Sequence, residues 1–168
     1  MAEKEGILFQ NRMARHMDEL RWLYMELYNN DSMFAELCQK MYEFSKERTA
    51  ALKKRDLERE ADSEWYKSNA LTGMMMYIDN FAGNLKGLQE KLPYIQQTGV
   101  NLLHLMPFLD TVPGRSDGGY AVADFRKVRS DLGTMEDLEK LSELCHKKGI
   151  NLCMDFVMNH TSQDHQWA

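Results

Sequence analysis

A chain of 168 residues with 21 Lys and Arg against 26 Asp and Glu carries a formal charge of −5, which gives no electrostatic reason to expect a nucleic-acid or anionic-membrane partner. Its 43% hydrophobic residues exclude wholesale disorder, and a single domain of this size buries on the order of 70% of its unfolded surface. The same length excludes a complete eight-stranded (β/α) barrel, which typically takes roughly 250 residues.

Cys38, Cys145 and Cys153 form no CxxC pair, and the N-terminus MAEKEGILFQ has no apolar run after its charges, so a reduced, cytoplasmic protein is the expectation. The longest nearly apolar stretch, Val100 to Leu109, contains Asn101 and His104 and is half the length of a membrane span. No membrane segment is expected.

From Glu3 to Glu60 there is no proline and one glycine, Gly6, among many Leu, Met, Glu, Lys and Arg, all good helix formers. The spacing of Met13, Met17, Leu20, Tyr24 and Leu27 predicts a first helix with one apolar face. Asn29 to Ser32 interrupts it and offers an N-cap. Phe34, Leu37, Met41 and Phe44 predict a second helix, after which Lys53 to Glu60 is almost entirely charged. Residues 1–64 are thus expected to form an all-helical N-terminal domain, a helical hairpin.

From Trp65 the pattern alternates short apolar runs with amphipathic helices. Met74 to Ile78 reads as a strand, and Leu85, Leu88, Leu92 and Ile95 as a helix ended by Gly99, with a kink or break expected at Pro93. Asn101 to Phe108 is apolar on both faces, as a strand in a covered parallel sheet should be. A long glycine-rich loop, TVPGRSDGGYAVADF, is expected next. Thr134 with Asp137 three positions on predicts a capped helix along Leu138, Leu141, Leu144 and Cys145, ended by Gly149, and Ile150 to Met158 is the last strand. Strand, helix, strand, helix, strand specifies an α/β fold with a parallel sheet and helices outside it.

In such sheets chemistry gathers beyond the carboxyl ends of the strands, and the candidate polar residues fall there: Asp79, the Asp110 to Asp124 loop, and Asp155, Asn159 and His160. Asp155, between Met154 and Phe156, needs a partner or several donors, so it is either a structural hydrogen-bond hub or a site residue. Asn159 and His160 could contact a metal or a substrate hydroxyl. No His pair here has a zinc-site spacing, and metal is not expected. Asp117 is a turn former or a hydroxyl clamp, and the Tyr120 ring beside it offers the flat apolar face that suits a pyranose. Gly118 and Gly119 belong to no phosphate-loop pattern.

The segment MDFVMNHTS at 154–162 resembles the first conserved region of the α-amylase superfamily, glycoside hydrolase family 13, an Asp followed four and five residues later by Asn and His. HLMPF at 104–108 with SDGGYAVADF at 116–125 resembles that family's second-strand region. Together with WYKSN at 65–69, FAGNLKGLQEKLPY at 81–94, LGTMEDL and NHTSQDHQWA, the set is most similar to the amylosucrase group. The resemblance implies an incomplete (β/α)8 TIM barrel, its first three strands lying in residues 65–168, preceded by the helical segment. It implies that Asp117 holds hydroxyls of the innermost glucosyl unit, that Tyr120 stacks under it, and that His160 hydrogen-bonds one of its hydroxyls. Asp155 and Asn159 would shape the strand end and Asp124 would support the loop. In many α-amylases the Asn ligates calcium; the amylosucrase group does not generally rely on it, so neither metal nor cofactor is implied.

The family chemistry is retaining transfer between two carboxylates about 5 Å apart. By resemblance the donor is sucrose and the acceptor a growing α-glucan or water. The nucleophile lies in an Arg-x-Asp motif on the fourth strand and the acid on the fifth, so this chain is expected to be an inactive N-terminal fragment of a sucrose-using glucosyltransferase. Sucrose hydrolase or another α-glucosidase or transglucosidase is an alternative parent. A non-catalytic remnant serving oligomerisation or weak sugar binding is the other alternative. Three strands leave an open edge, and a homo-oligomer covering it is expected.

Overall fold

Helix-forming residues and well-placed caps account for the architecture as far as Ala61. The computed structural model describes residues 2–168, with side chains from Leu8 onward. It divides into two units, the first reaching Trp65 and the second running Tyr66–Ala168.

The first unit contains α1 (Ala2–Tyr28), α2 (Asp31–Glu47) and α3 (Ala50–Ala61). Asn29 adopts a positive φ of 45° where α1 stops, and the Asn30 side chain accepts from the Met33 N–H at 3.0 Å to start α2. The expected two-helix hairpin is therefore corrected to three helices. Thr49 caps the charged stretch by accepting from Leu52 N–H at 3.4 Å, and its charges find partners: Arg48 with Asp56, and Arg12 with Glu60 at 2.6 Å. The apolar stripes are covered only in part. Phe34 is the one buried side chain among the described residues of this unit, while Leu27 is 75% and Phe44 67% exposed.

The second unit contains β1 (Gly73–Met76), α4 (Ile78–Ala82), α5 (Leu85–Gln97), β2 (Leu102–Leu105), β3 (Leu109–Thr111), β4 (Val122–Val128), α6 (Met135–Lys147) and β5 (Asn151–Met154). Strands β1, β2 and β5 form a parallel sheet in that order, with β2 in the middle. Met75, His104 and Cys153 stand opposite one another across it. Alternate residues share a face. Met74, Met76, Leu103, Leu105, Leu152 and Met154 join Leu85, Leu88, Leu92, Ile95, Leu141 and Cys145 of α5 and α6 in one core. The opposite face, with Met75 at 65% exposure and Cys153 exposed, is uncovered. This is the expected layout: the first parallel strands of a (β/α) barrel with their helices outside, preceded by helices.

Three expectations change in detail. Helix α5 continues through Pro93, because Leu92 and Ile95 on either side are fully buried and the exposed proline ring meets solvent. Strand β2 stops at Leu105, two residues short of Pro107, which has no N–H to give a ladder. The glycine-rich stretch is a loop from 112 to 121 as expected, but its ends enter strands, β3 pairing antiparallel with β4, with register shifts on both sides of Asp110. The predicted capping box is present: Thr134 Oγ1 accepts from Asp137 N–H at 3.2 Å and Thr134 N–H donates to Asp137 Oδ2 at 3.2 Å. Among the described residues no helix is long and apolar enough to cross a membrane.

Candidate functional site

Asp155 follows the last residue of β5, and its N–H donates to Leu105 O at 3.0 Å, so the ladder carries the side chain to the carboxyl end of β2. There the carboxylate bridges two groups from other segments. Oδ1 meets His104 Nε2 at 2.8 Å, and Oδ2 accepts from the Tyr120 hydroxyl at 2.8 Å. Partial burial pushes the Asp155 carboxyl up, but the hydrogen bonds from Tyr120 and His104 outweigh it and hold the acid below the usual aspartate range. The bond to Asp155 raises the Tyr120 phenol in turn.

The turn that delivers Tyr120 is fixed by glycine. Asp117 to Gly119 make a single 3-10 turn, closed by Tyr120 N–H donating to Asp117 O at 3.2 Å and Ala121 N–H to Ser116 O at 2.9 Å. Gly119, at φ 98°, lies against Pro107 so closely that a Cβ there would meet its carbonyl oxygen at 2.9 Å. Asp117 itself has a φ of 47°, a left-handed conformation that a non-glycine residue adopts at a cost and that structures retain where it serves a purpose. Its exposed carboxylate has no partner among the described residues. Tyr77, just past β1, completes the floor: a Cβ on Gly118 would stand 3.6 Å from its hydroxyl and 3.9 Å from the Tyr120 ring. Sequence reasoning singled out neither Tyr77 nor His104; an aromatic directly after the first strand was the signal for the former.

Asp117, Tyr120 and Asp155 are thus brought to one place, and Asn159 and His160 are not tied to it. Both are exposed, and Asn159 Nδ2 donates to His160 Nδ1 at 3.4 Å. Their segment is anchored elsewhere: Ser162 N–H donates to Val122 O at 2.8 Å, Asp164 pairs with Arg115 at 3.1 Å, and buried His165 packs against both the Phe125 and Trp167 rings. Asp124 sits on β4 and is held low by the Arg126 N–H and the Lys127 ammonium, 2.9 Å away. Asp79 is engaged by Arg129 at 2.6 Å, a guanidinium it shares with Asp131. No group of three or more His, Cys, Asp or Glu that could hold a metal ion stands among the described residues.

Polar side chains gathered at the carboxyl ends of parallel strands, with the helices outside the sheet, are the arrangement of a (β/α) barrel site. The alpha-amylase family, alpha amylase catalytic domain, matches residues 26–168, and the chain belongs to that family. It is 42% identical over 111 residues to the trehalose synthase/amylase TreS of Mycolicibacterium smegmatis, an alignment covering 63% of this chain and 18% of that protein. Among solved structures, the trehalose-6-phosphate hydrolase TreA of Bacillus licheniformis superposes with a TM-score of 0.56 at 34% identity, covering 61% of this chain and 19% of the other. An isomaltulose synthase variant from Erwinia rhapontici, in complex with its natural substrate sucrose, gives a TM-score of 0.53 at 31% identity over 58% of this chain and 18% of the other. The chain spans less than a fifth of the length of these proteins. The expected amylosucrase group is thereby broadened to the family, whose matched members here include trehalose-, trehalose phosphate- and sucrose-processing proteins.

Proposed function

We propose that this chain supplies the glucosyl-binding floor of a retaining α-glucoside-processing enzyme. The observation that carries the reading is the Asp155 carboxylate gripping Tyr120, on the turn that also carries the exposed Asp117. Tyr120 then offers its ring to the C–H face of a glucosyl unit, Asp117 accepts from its hydroxyls, and Tyr77 borders it. His160 joins as a hydroxyl partner if its segment turns inward on binding. Asn159 shapes the strand end, and Asp124, paired with Lys127 along β4, supports the loop.

The reacting pair is assigned elsewhere. A retaining transfer needs two carboxyl groups about 5 Å apart across the sugar, and in this site Asp155 is committed to its two donors. Sucrose as donor and an α-glucan or water as acceptor are the finer reading; the sucrose complex of the Erwinia rhapontici protein supports the donor. A second reading, self-association, is favoured by exposed Met75 on the open face of the sheet and by exposed Phe156 and Met158 beyond β5.

The test is saturation-transfer NMR with methyl α-glucoside, alongside a fructose-release assay on sucrose. Transfer to the glucoside that disappears in Tyr120→Ala and Asp117→Asn, with no fructose formed, is the expected result. Equal transfer in both variants overturns the assignment of the floor, and fructose release overturns the assignment of the reacting carboxylates to other strands.

A further inference from the structure

A carboxylate is a poor anchor by itself. The terminal torsion of aspartate is broad, so a single hydrogen bond from Tyr120 would leave the Asp155 oxygens free to swing and the phenol free to follow them. Two donors on the two oxygens define the carboxylate plane. His104 is the second donor, and it is the better fixed of the two: it stands on the middle strand of the sheet, between Met75 of β1 and Cys153 of β5. Tyr120, by contrast, lies on the glycine-rich turn. Order therefore passes from the sheet to the turn. An ionised carboxylate only accepts, so the 2.8 Å contact requires the hydrogen on Nε2 of the imidazole.

We propose that His104 is a positioning residue for the sugar platform: by donating from Nε2 to Asp155 Oδ1 it fixes the carboxylate whose Oδ2 holds the Tyr120 hydroxyl. The proposal deepens the sugar-floor reading and rests on it for its purpose, though its geometry can be tested separately. Neither the ring of His104 nor any atom of it touches the sugar in this scheme. Its effect is to preorganise the ring that does.

The experiment labels tyrosine at Cζ and histidine with nitrogen-15 in the whole chain, with the Tyr120 signal assigned by its loss in Tyr120→Phe. In the wild-type protein the His104 imidazole should show the Nε2–H tautomer, and the Tyr120 hydroxyl should exchange slowly. His104→Phe keeps a ring but removes the donor; exchange should then quicken about tenfold, the factor that matches losing one hydrogen bond. His104→Gln places an amide N–H within reach of the same oxygen and should restore slow exchange, a rescue that a purely space-filling role does not predict. A folded His104→Phe with unchanged hydroxyl exchange overturns the proposal. So does an Nδ1–H tautomer in the wild-type spectrum, which needs no variant to fold. Methyl α-glucoside separates the two layers: if it leaves the wild-type Tyr120 signal unmoved, the sugar reading fails, while tautomer and exchange still decide the role of His104.

Discussion

The Asp155 carboxyl is worth most to the folded chain when ionised, because both oxygens then accept, from His104 Nε2 and from the Tyr120 hydroxyl. Its acidity in the fold is stronger than in the unfolded chain, so the contribution is whole above the ordinary aspartate value of about 3.9 and shrinks as pH falls through the lower folded value. Asp155→Asn keeps the shape and removes the charge. Urea unfolding should show the wild type more stable than Asp155→Asn at pH 7 and the gap narrowing at pH 3; a gap of equal size at both pH values contradicts the stated role. The residues of this bridge were legible singly. Asp155 stood out as a carboxylate in an apolar strand and Tyr120 as a ring in a turn, but their partnership depends on which loop folds over which strand end. His104 was legible only as a histidine inside an apolar strand, because sequence distance says nothing of a neighbour 51 positions away.

At the scale of elements, burial decides more than propensity. Helix α5 carries a proline near its middle and still runs from Leu85 to Gln97, since Leu85, Leu88, Leu92 and Ile95 are all at 0% exposure against the sheet and α6. Leu92→Ala should cost about 2–5 kcal/mol by removing buried methyl groups and leaving a cavity. Glu90→Ala on the solvent side should stay within about 0.5 kcal/mol. Equal destabilisation of the two in urea melts would contradict the face assignment. The periodic helices, the Thr134 cap and the order of the parallel strands were readable because each announces itself within a dozen residues. The β3–β4 hairpin was not: β3 has only three residues, and the register shifts around Asp110 break the alternation that marks a strand. Helix α3 was also missed, because its charges face water and one another and leave no apolar stripe to find.

For the molecule as a whole, the consequence of three strands is an open sheet. Only β2 is paired on both sides, so β1 and β5 each present one free edge among the described residues. The face away from α5 and α6 exposes Met75 at 65%, and beyond the end of β5 Phe156 is 54% and Met158 85% exposed. Unpaired edges beside apolar side chains are the usual template for chain-to-chain pairing. In the relatives matched here the aligned segment is under a fifth of the whole protein. Light scattering should therefore show self-association that grows with concentration. Met75→Lys, at a site already in solvent, should weaken it without lowering the urea midpoint of the monomer, because the ammonium puts like charges on two faces that would have to meet. A wild-type chain that stays monomeric across the concentration range and unfolds in a single cooperative step would show instead that the open sheet needs no partner.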